Sequence, residues 1–261
     1  MLKAERQQRI LERMQQSQSA VTVRELAEEF AISPITIRRD LLELGDRGVL
    51  SRTHGGAMST REVLAEGSAR YEMYSYTERD RQQATEKALI AECAAQFVSD
   101  GDSILINSGT TARAFAHALR GHQNLHVITN GLTVASEVAQ AQAAQVYVLA
   151  GRLDSHKQAT IERPDGDRFP HLQFREAFLG VHAISPAGIF MRDIEDAAMN
   201  RAFTASAHRV TVLADHTKLA AFASFRICAW HKVQRLVTDA PGDHPGVAAI
   251  RELGVEVVHT D

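Results

Sequence analysis

Cysteine is nearly absent: Cys93 and Cys228 are the two in 261 residues, far apart and without metal-ligand spacing. That argues against a disulfide framework and leaves two buried small hydrophobes in a reducing cytoplasm as the expectation. Positive charge is not in excess either. Twenty-nine Lys and Arg face 32 Asp and Glu, for a net charge of −3. Binding to nucleic acid would therefore have to rest on local placement of basic residues and not on a global field. No run approaches the ~18 apolar residues of a membrane span. The start, MLKAERQQRILERMQQ, is charged where a signal peptide would be apolar. A soluble, cytoplasmic protein with no membrane partner is expected. Repeats and low-complexity tracts are missing too. What is there is 44% hydrophobic and 23% charged residues, enough to bury a core in a chain sized for a small domain plus a larger one, or for a single large domain.

Residues 1–60 read as three helices and a wing. Ile10, Leu11 and Met14 recur at a helical period among polar neighbours. Thr22 and Glu25 form a T-x-x-E capping box, predicting a helix over 23–30 that buries Leu26 and Phe30. Ser33 can cap a third helix and Pro34 can occupy its first turn. Two short helices so briefly joined describe a helix-turn-helix. On the third helix Ile37, Leu41 and Leu44 share one face, Thr36, Arg39 and Glu43 lie roughly opposite, and Arg38 is on the flank. The exposed face of such a helix enters the major groove, where arginine reads guanine edges or grips phosphates. Gly48 ends the helix, VLSR reads as a strand, and THGG as a wing turn bearing Arg52 and His54 beside the DNA backbone.

ITIRRDL followed by a leucine, a glycine and LSRTHGGA resembles the amino-terminal winged helix of the DeoR family of bacterial sugar-catabolism regulators. Carried over by position, the resemblance implies that Ser33, Thr36, Arg38 and Arg39 face DNA, with Arg52 and His54 in the wing. Gly45 departs from the pattern and should cost the helix roughly 1 kcal/mol relative to alanine. Over residues 1–57 nine basic side chains face eight acidic ones. One such domain should bind weakly, so a homo-oligomer, dimer or tetramer, gripping two half-sites of double-stranded operator DNA is expected.

Residues 61–85 read as a polar linker with scattered tyrosines, and Glu78–Lys87 as the start of a helix running to Phe97. From 86 to 261, strand-like runs at 103–106, 126–129, 146–150, 177–181, 210–214, 235–238 and 255–259 alternate with helix-period stretches at 111–119, 132–144 and 196–206. The pattern predicts a Rossmann-like α/β domain built on a mostly parallel sheet. Ligands of such sheets bind beyond the carboxyl ends of the strands. Asn107, Ser108, Gly109, Thr110 and Thr111 lead from the first strand into a helix, suiting close backbone approach and an anion at the helix start. Thr129 and Asn130 follow the second strand. Arg152, after the third, could pair with phosphate. A phosphorylated small molecule is the expected ligand.

GTT after a strand, TN, FLGVHAISPAGI followed by a glutamate, and ADHTK resemble the effector domain of the same regulators, whose fold is related to ribose-5-phosphate isomerase and glucosamine-6-phosphate deaminase. The resemblance implies that Ser108, Gly109, Thr110 and Thr111 hold a sugar phosphate, with Asn130, Arg152, Glu195, Asp215 and Lys218 lining the same pocket. It departs from the family at Ala150-Gly151, where a Gly-Gly pair is usual, at IERPDGDRFP (161–170), and at the added acids Asp193 and Asp196. These loops are expected to set sugar selectivity. A sugar-phosphate isomerase or deaminase with a DNA-binding extension is the alternative, since Asp193, Glu195, Asp215 and Lys218 could supply a base and its partner. A sensor is preferred, because a fifth of the chain is a winged helix. No cofactor and no metal are expected; the twelve histidines read as scattered surface residues.

Overall fold

The computed structural model describes residues 6–7, 9–10, 13, 21–46, 50–53, 56–59, 75–140, 144–161 and 173–260. The chain separates into two units, Met1–Tyr71 and Glu72–Asp261.

In the first unit a short strand β1 (Val21–Thr22) leads into α1 (Val23–Phe30). The Thr22 hydroxyl accepts from the Glu25 N–H, and the Glu25 carboxylate accepts from the Thr22 N–H at 2.7 Å, so both halves of the capping box form. Ala31, in the left-handed region at φ 54°, turns the chain toward α2 (Pro34–Asp46), which runs through Gly45. Ile10, Val21, Leu26, Ile37, Leu41 and Leu44 form the core. Asp40 in the IRRD run is buried and ion-paired with Arg6, while Gln7 donates to it at 3.4 Å, tying the amino-terminal helical residues to α2. β2 (Leu50–Thr53) and β3 (Gly56–Ser59) pair antiparallel with Thr53 opposite Gly56, and β1 adds to the other edge of β3. This is the winged helix-turn-helix. His54 lies outside the described residues.

The second unit opens with α3 (Tyr76–Arg81) and α4 (Ala84–Ala95), two helices where a continuous one was expected. Gln83 adopts φ 47° between them, a residue type that carries no sequence signal for such a break. Then follow β4 (Ser103–Ile106), α5 (Thr110–Ala118), β5 (His126–Thr129), α6 (Leu132–Val138), β6 (Gln145–Val148), β7 (Arg152–Asp154), β8 (Ala159–Ile161) and β9 (Phe174–Gly180). The chain continues through β10 (Ala183–Ser185), β11 (Gly188–Met191), α7 (Ile194–Ala205), β12 (Ala207–Leu213), β13 (Phe225–Cys228), β14 (Arg235–Thr238), α8 (Pro245–Glu252) and β15 (Glu256–His259). Most of the 161–170 stretch lies outside the described residues.

Seven strands form one parallel sheet in the order β15-β14-β12-β9-β4-β5-β6. The strands are apolar on both sides, as a sheet covered by helices requires. Ile104 and Ile106 pack with Phe115 of α5 and Val134 of α6 on one face, while Leu105 packs with Ala197 and Phe203 of α7 on the other. A small antiparallel sheet, β10-β11-β13, covers part of the second face, where the Trp230 indole N–H donates to Ser185 O. At its turn Gly188 sits at φ 137°, and a Cβ there would meet Cys228 O at 2.2 Å. At the amino ends of four neighbouring strands, buried Glu176 and Arg235 pair at 3.2 Å, Thr211 donates to Glu176, and Arg235 also holds Glu256 at 3.0 Å. Both cysteines are free and half-buried, less enclosed than expected. Among the described residues no helix is long and apolar enough to cross a membrane.

Candidate functional site

The strand order reverses between β4 and β9, and at such a switch point the loops beyond the carboxyl ends diverge and leave a crevice. Asn107 bridges the two strands. Its Nδ2 donates to Gly180 O and to Asn200 Oδ1, both at 2.8 Å, and its Oδ1 accepts from the Gly180 N–H at 2.9 Å. Beyond it Ser108 and Gly109 turn the chain into α5. Gly109 adopts φ 124° and supplies no capping side chain, leaving the first N–H groups of α5 without one. Gly131, with an extended backbone, likewise begins α6 without a side-chain cap. A Cβ on Gly131 would lie 3.0 Å from Ser108 Cα, so the two loops are pressed together. Asn130 is buried, donates to Thr160 O at 3.2 Å and to Ser108 Oγ at 3.5 Å, and its Oδ1 has no hydrogen-bond partner.

The other expected residues fall into two ion pairs. Asp215, fully buried after β12, accepts from the Thr217 N–H and hydroxyl, and the Lys218 ammonium lies 3.2 Å from its second oxygen. Burial would raise the Asp215 carboxyl, but Lys218 and Thr217 outweigh it and hold it below its ordinary value. Arg152, largely exposed, and Glu195, half-buried, pair at 3.3 Å. The added acids are also engaged. Asp193 caps α7, accepting from Glu195 and Asp196 N–H groups, and Lys157 on the β7–β8 turn lies 3.4 Å from Asp193 and 3.0 Å from Asp196.

Sequence reasoning missed five contributors. Tyr76 of α3 shares a 2.6 Å hydrogen bond with the Thr133 hydroxyl and donates to Gly109 O at 3.4 Å. Arg79 donates to His156 O at 2.8 Å, and Asp80 pairs with Arg113 of α5 at 2.8 Å. The fourth is His182, beyond β9, which corrects the view of the histidines as surface residues. Its Nδ1 accepts from the Arg192 N–H at 3.1 Å. Burial first, then Arg192, Lys218, Arg79 and Lys157, drive its pKa well below the ordinary value, so it is a neutral ring with its proton on Nε2. The hydrogen bonds join the segments that carry these groups: α3 reaches the α5 start through Tyr76 and the β7–β8 turn through Arg79, and His182 accepts from Arg192 after β11. Local periodicity could not reveal that. Among the described residues no group of His, Cys, Asp and Glu is arranged to hold a metal. A groove of about 240 Å³ between α4 and α5 includes Lys87, Thr110 and Arg113, but its floor is alanine.

Lys87 is the fifth. Buried beneath α3, its ammonium donates to Arg79 O and Gln82 O, both at 2.6 Å. Burial, followed by the nearby Lys218, lowers its pKa from 10.5 to about 8. The folded state thus binds fewer protons than the unfolded chain between those values, and stability rises with pH there. Thermal melts at pH 7 and pH 10 should show wild type gaining on Lys87→Met as pH increases. An unchanged gap would contradict a buried, strained ammonium.

In the first unit, Ser33 and Thr36 hydroxyls lie 2.9 Å apart and the Ser33 oxygen accepts from the Thr36 N–H, capping α2. Arg38 and Arg39 are exposed. Other basic residues are tied to acids, with Arg13 on Glu29 at 2.9 Å and Arg24 on Glu28 at 2.8 Å. Arg52 lies in β2 of the wing.

The sequence matches the DeoR-like helix-turn-helix domain over residues 6–63 and the DeoR C terminal sensor domain over residues 82–240. It is 31% identical to the glycerol-3-phosphate regulon repressor of Escherichia coli (strain K12), over 97% of this chain and 96% of that one. It is 34% identical to the HTH-type transcriptional repressor CsqR of the same organism, over 84% of this chain and 81% of that one. A solved structure of ribose 5-phosphate isomerase A from Methanocaldococcus jannaschii is similar with a TM-score of 0.36 and 16% identity, over 53% of this chain and 55% of that one. With both of its units matched, the chain belongs to the DeoR family.

Proposed function

We propose that this chain is a transcriptional repressor of an operon for sugar or sugar-derivative catabolism, released or engaged by a phosphorylated intermediate bound at the switch point of its large unit. The observation that carries the reading is the uncapped helix start after Ser108 and Gly109, to which Tyr76 ties α3 while Arg79 ties the same helix to the β7–β8 turn that carries Lys157. Phosphate suits the α5 start with Thr110 and Thr111. Sugar hydroxyls suit the Asn130 oxygen and the Asp215–Lys218 pair. Arg152 and Glu195 stand at the rim. Relatives named as repressors, over nearly the full chain, support regulation as the role. The acids an isomerase would use as a base are held in caps and ion pairs, which favours a sensor over an enzyme.

A ligand regulates only if its affinity differs between DNA-competent and incompetent arrangements. α3, the first described element after the wing, is bonded to the loops after β4 and β5 and to the β7–β8 turn, so it is the element through which binding would be felt. Ser33, Thr36, Arg38 and Arg39 present α2 to the major groove, with Arg52 and His54 at the wing, and two or more copies grip repeated half-sites.

A thermal-shift screen against sugar phosphates, free sugars and inorganic phosphate tests the sensor. One phosphorylated sugar should raise the melting temperature in a concentration-dependent way, and conversion of that compound would instead favour the enzyme. Arg39→Ala should weaken binding to operator DNA at least tenfold and leave the thermal shift intact. Thr110→Val should do the reverse. Equal operator affinity for Arg39→Ala and wild type would refute the orientation of α2.

A further inference from the structure

Ile35 is 76% exposed, the highest exposure among the large hydrophobic side chains described. It is the second residue of α2, and nothing in the core needs it there: Ile37, Leu41 and Leu44 supply the buried face. At about 100° per residue, positions 35, 38 and 39 are neighbours on one surface of the helix, since side chains three and four apart lie side by side. Ile35 therefore stands one turn before Arg38 and Arg39, on the face those arginines share. Its polar neighbours in the first turn, Ser33 and Thr36, direct their hydroxyls at each other in the cap. An isolated exposed apolar side chain is ordinary. One at the start of a recognition helix, where side chains meet base edges, is placed against the groove floor. The apolar group displayed on that floor is the thymine C5-methyl.

We propose that Ile35 reads a thymine, packing its branched side chain on the C5-methyl of one thymine in each half-site and so setting sequence preference there. The proposal rests on the reading of α2 as the DNA-recognition helix. It adds a base contact that the arginines, which read guanine or phosphate, do not make. Lacking a hydrogen bond, this contact discriminates by the methyl group alone.

The test separates the proposal from the reading beneath it. The full-chain protein first selects duplexes from a pool of randomised DNA. Each thymine of the selected half-site is then replaced by uracil in both half-sites, which removes only the methyl group. For wild type, one replacement should weaken binding roughly tenfold, or three- to fivefold per half-site, with little effect at the others. For Ile35→Ala, that replacement should change nothing further, and affinity for the thymine duplex should already match wild type on the uracil duplex. Ile35 is exposed, so the variant should fold, and its melting curve checks this. Retained thymine sensitivity in Ile35→Ala, or a loss of affinity equal on thymine and uracil duplexes, overturns the proposal. A pool from which no sequence is enriched overturns the DNA-recognition reading itself, and the thymine contact with it.

Discussion

Replacing Arg235 by alanine is expected to lower the melting temperature by roughly 6–20 °C, the shift that a loss of about 3–5 kcal/mol gives in a domain of this size. Arg235 begins β14, where its guanidinium reaches Glu176 of β9, Glu256 of β15 and, at 3.5 Å, the Thr211 hydroxyl of β12. It also lies over the Phe97 ring, 3.5 Å from the centroid. Glu176 is 3% exposed. Removing the arginine leaves that carboxylate buried, with Arg209 at 3.9 Å as a distant substitute. The cost is that of an uncompensated charge and does not measure what the pair contributes, because replacing both partners by apolar groups is often neutral. The double variant Glu176→Leu, Arg235→Met should therefore recover much of the lost stability. Thermal or urea unfolding checks both, and a drop below ~2 °C for Arg235→Ala would show that the network relaxes around the loss.

Asn107→Leu should destabilise the protein by about 2–5 kcal/mol and abolish the response to a phosphorylated ligand. The substitution leaves the Gly180 N–H and carbonyl and Asn200 Oδ1 without the partner they share, each at a cost of ~1–3 kcal/mol when buried. It also cuts the lateral tie between β4, β9 and α7 on which the crevice is built, since Asn200 in turn donates to Asp196 O at 2.8 Å. Asn107→Asp separates the two effects. It keeps an acceptor for the Gly180 N–H but turns oxygen toward two acceptors, so it should lose ligand response while retaining more stability than leucine. A melting curve with and without the sugar phosphate reads both quantities. Full ligand response in Asn107→Leu would show that the crevice does not depend on this tie.

Legibility in the sequence tracked how local the determining physics is. The T-x-x-E box at Thr22 and Glu25 predicted a helix over 23–30, and α1 has those bounds, because a cap is made within four residues. The seven core strands were legible because parallel strands buried on both faces read as continuous apolar runs. β7, β8, β10, β11 and β13 were not anticipated. They are strands of three or four residues, too short for a clear period: β7 pairs with β8 and β10 with β11 in hairpins, and β13 is held by a distant partner, with Arg226 opposite Phe190 of β11. The expected helix over 132–144 gives α6, which ends at Val138. At the candidate site, the turn after β4 announced itself through Ser108, Gly109 and the threonines. Tyr76 did not, since its contact with Thr133 spans 57 positions. Lys87 and His182 were silent for the same reason: burial and neighbouring charge give them their character, and neither is a property of the adjoining sequence.

The close approach of Gly131 to Ser108 bears on how fast a bound molecule could leave. A Cβ added at Gly131 would lie only 3.0 Å from the Ser108 backbone, so the loops after β4 and β5 are closely packed there and resist shearing past one another. The neighbouring hairpin is fastened to the same block, for Leu132 N–H donates to Gln158 O and Thr160 N–H to Asn130 O, both at 2.8 Å. This wall of the crevice behaves as a single casting. In the proposed binding mode residence time then depends on α3, which Tyr76, Arg79 and Asp80 fasten to its neighbours by side chains and Lys87 holds from α4. Those fastenings are individually weak and can open one by one, so dissociation would follow the rhythm of one short helix.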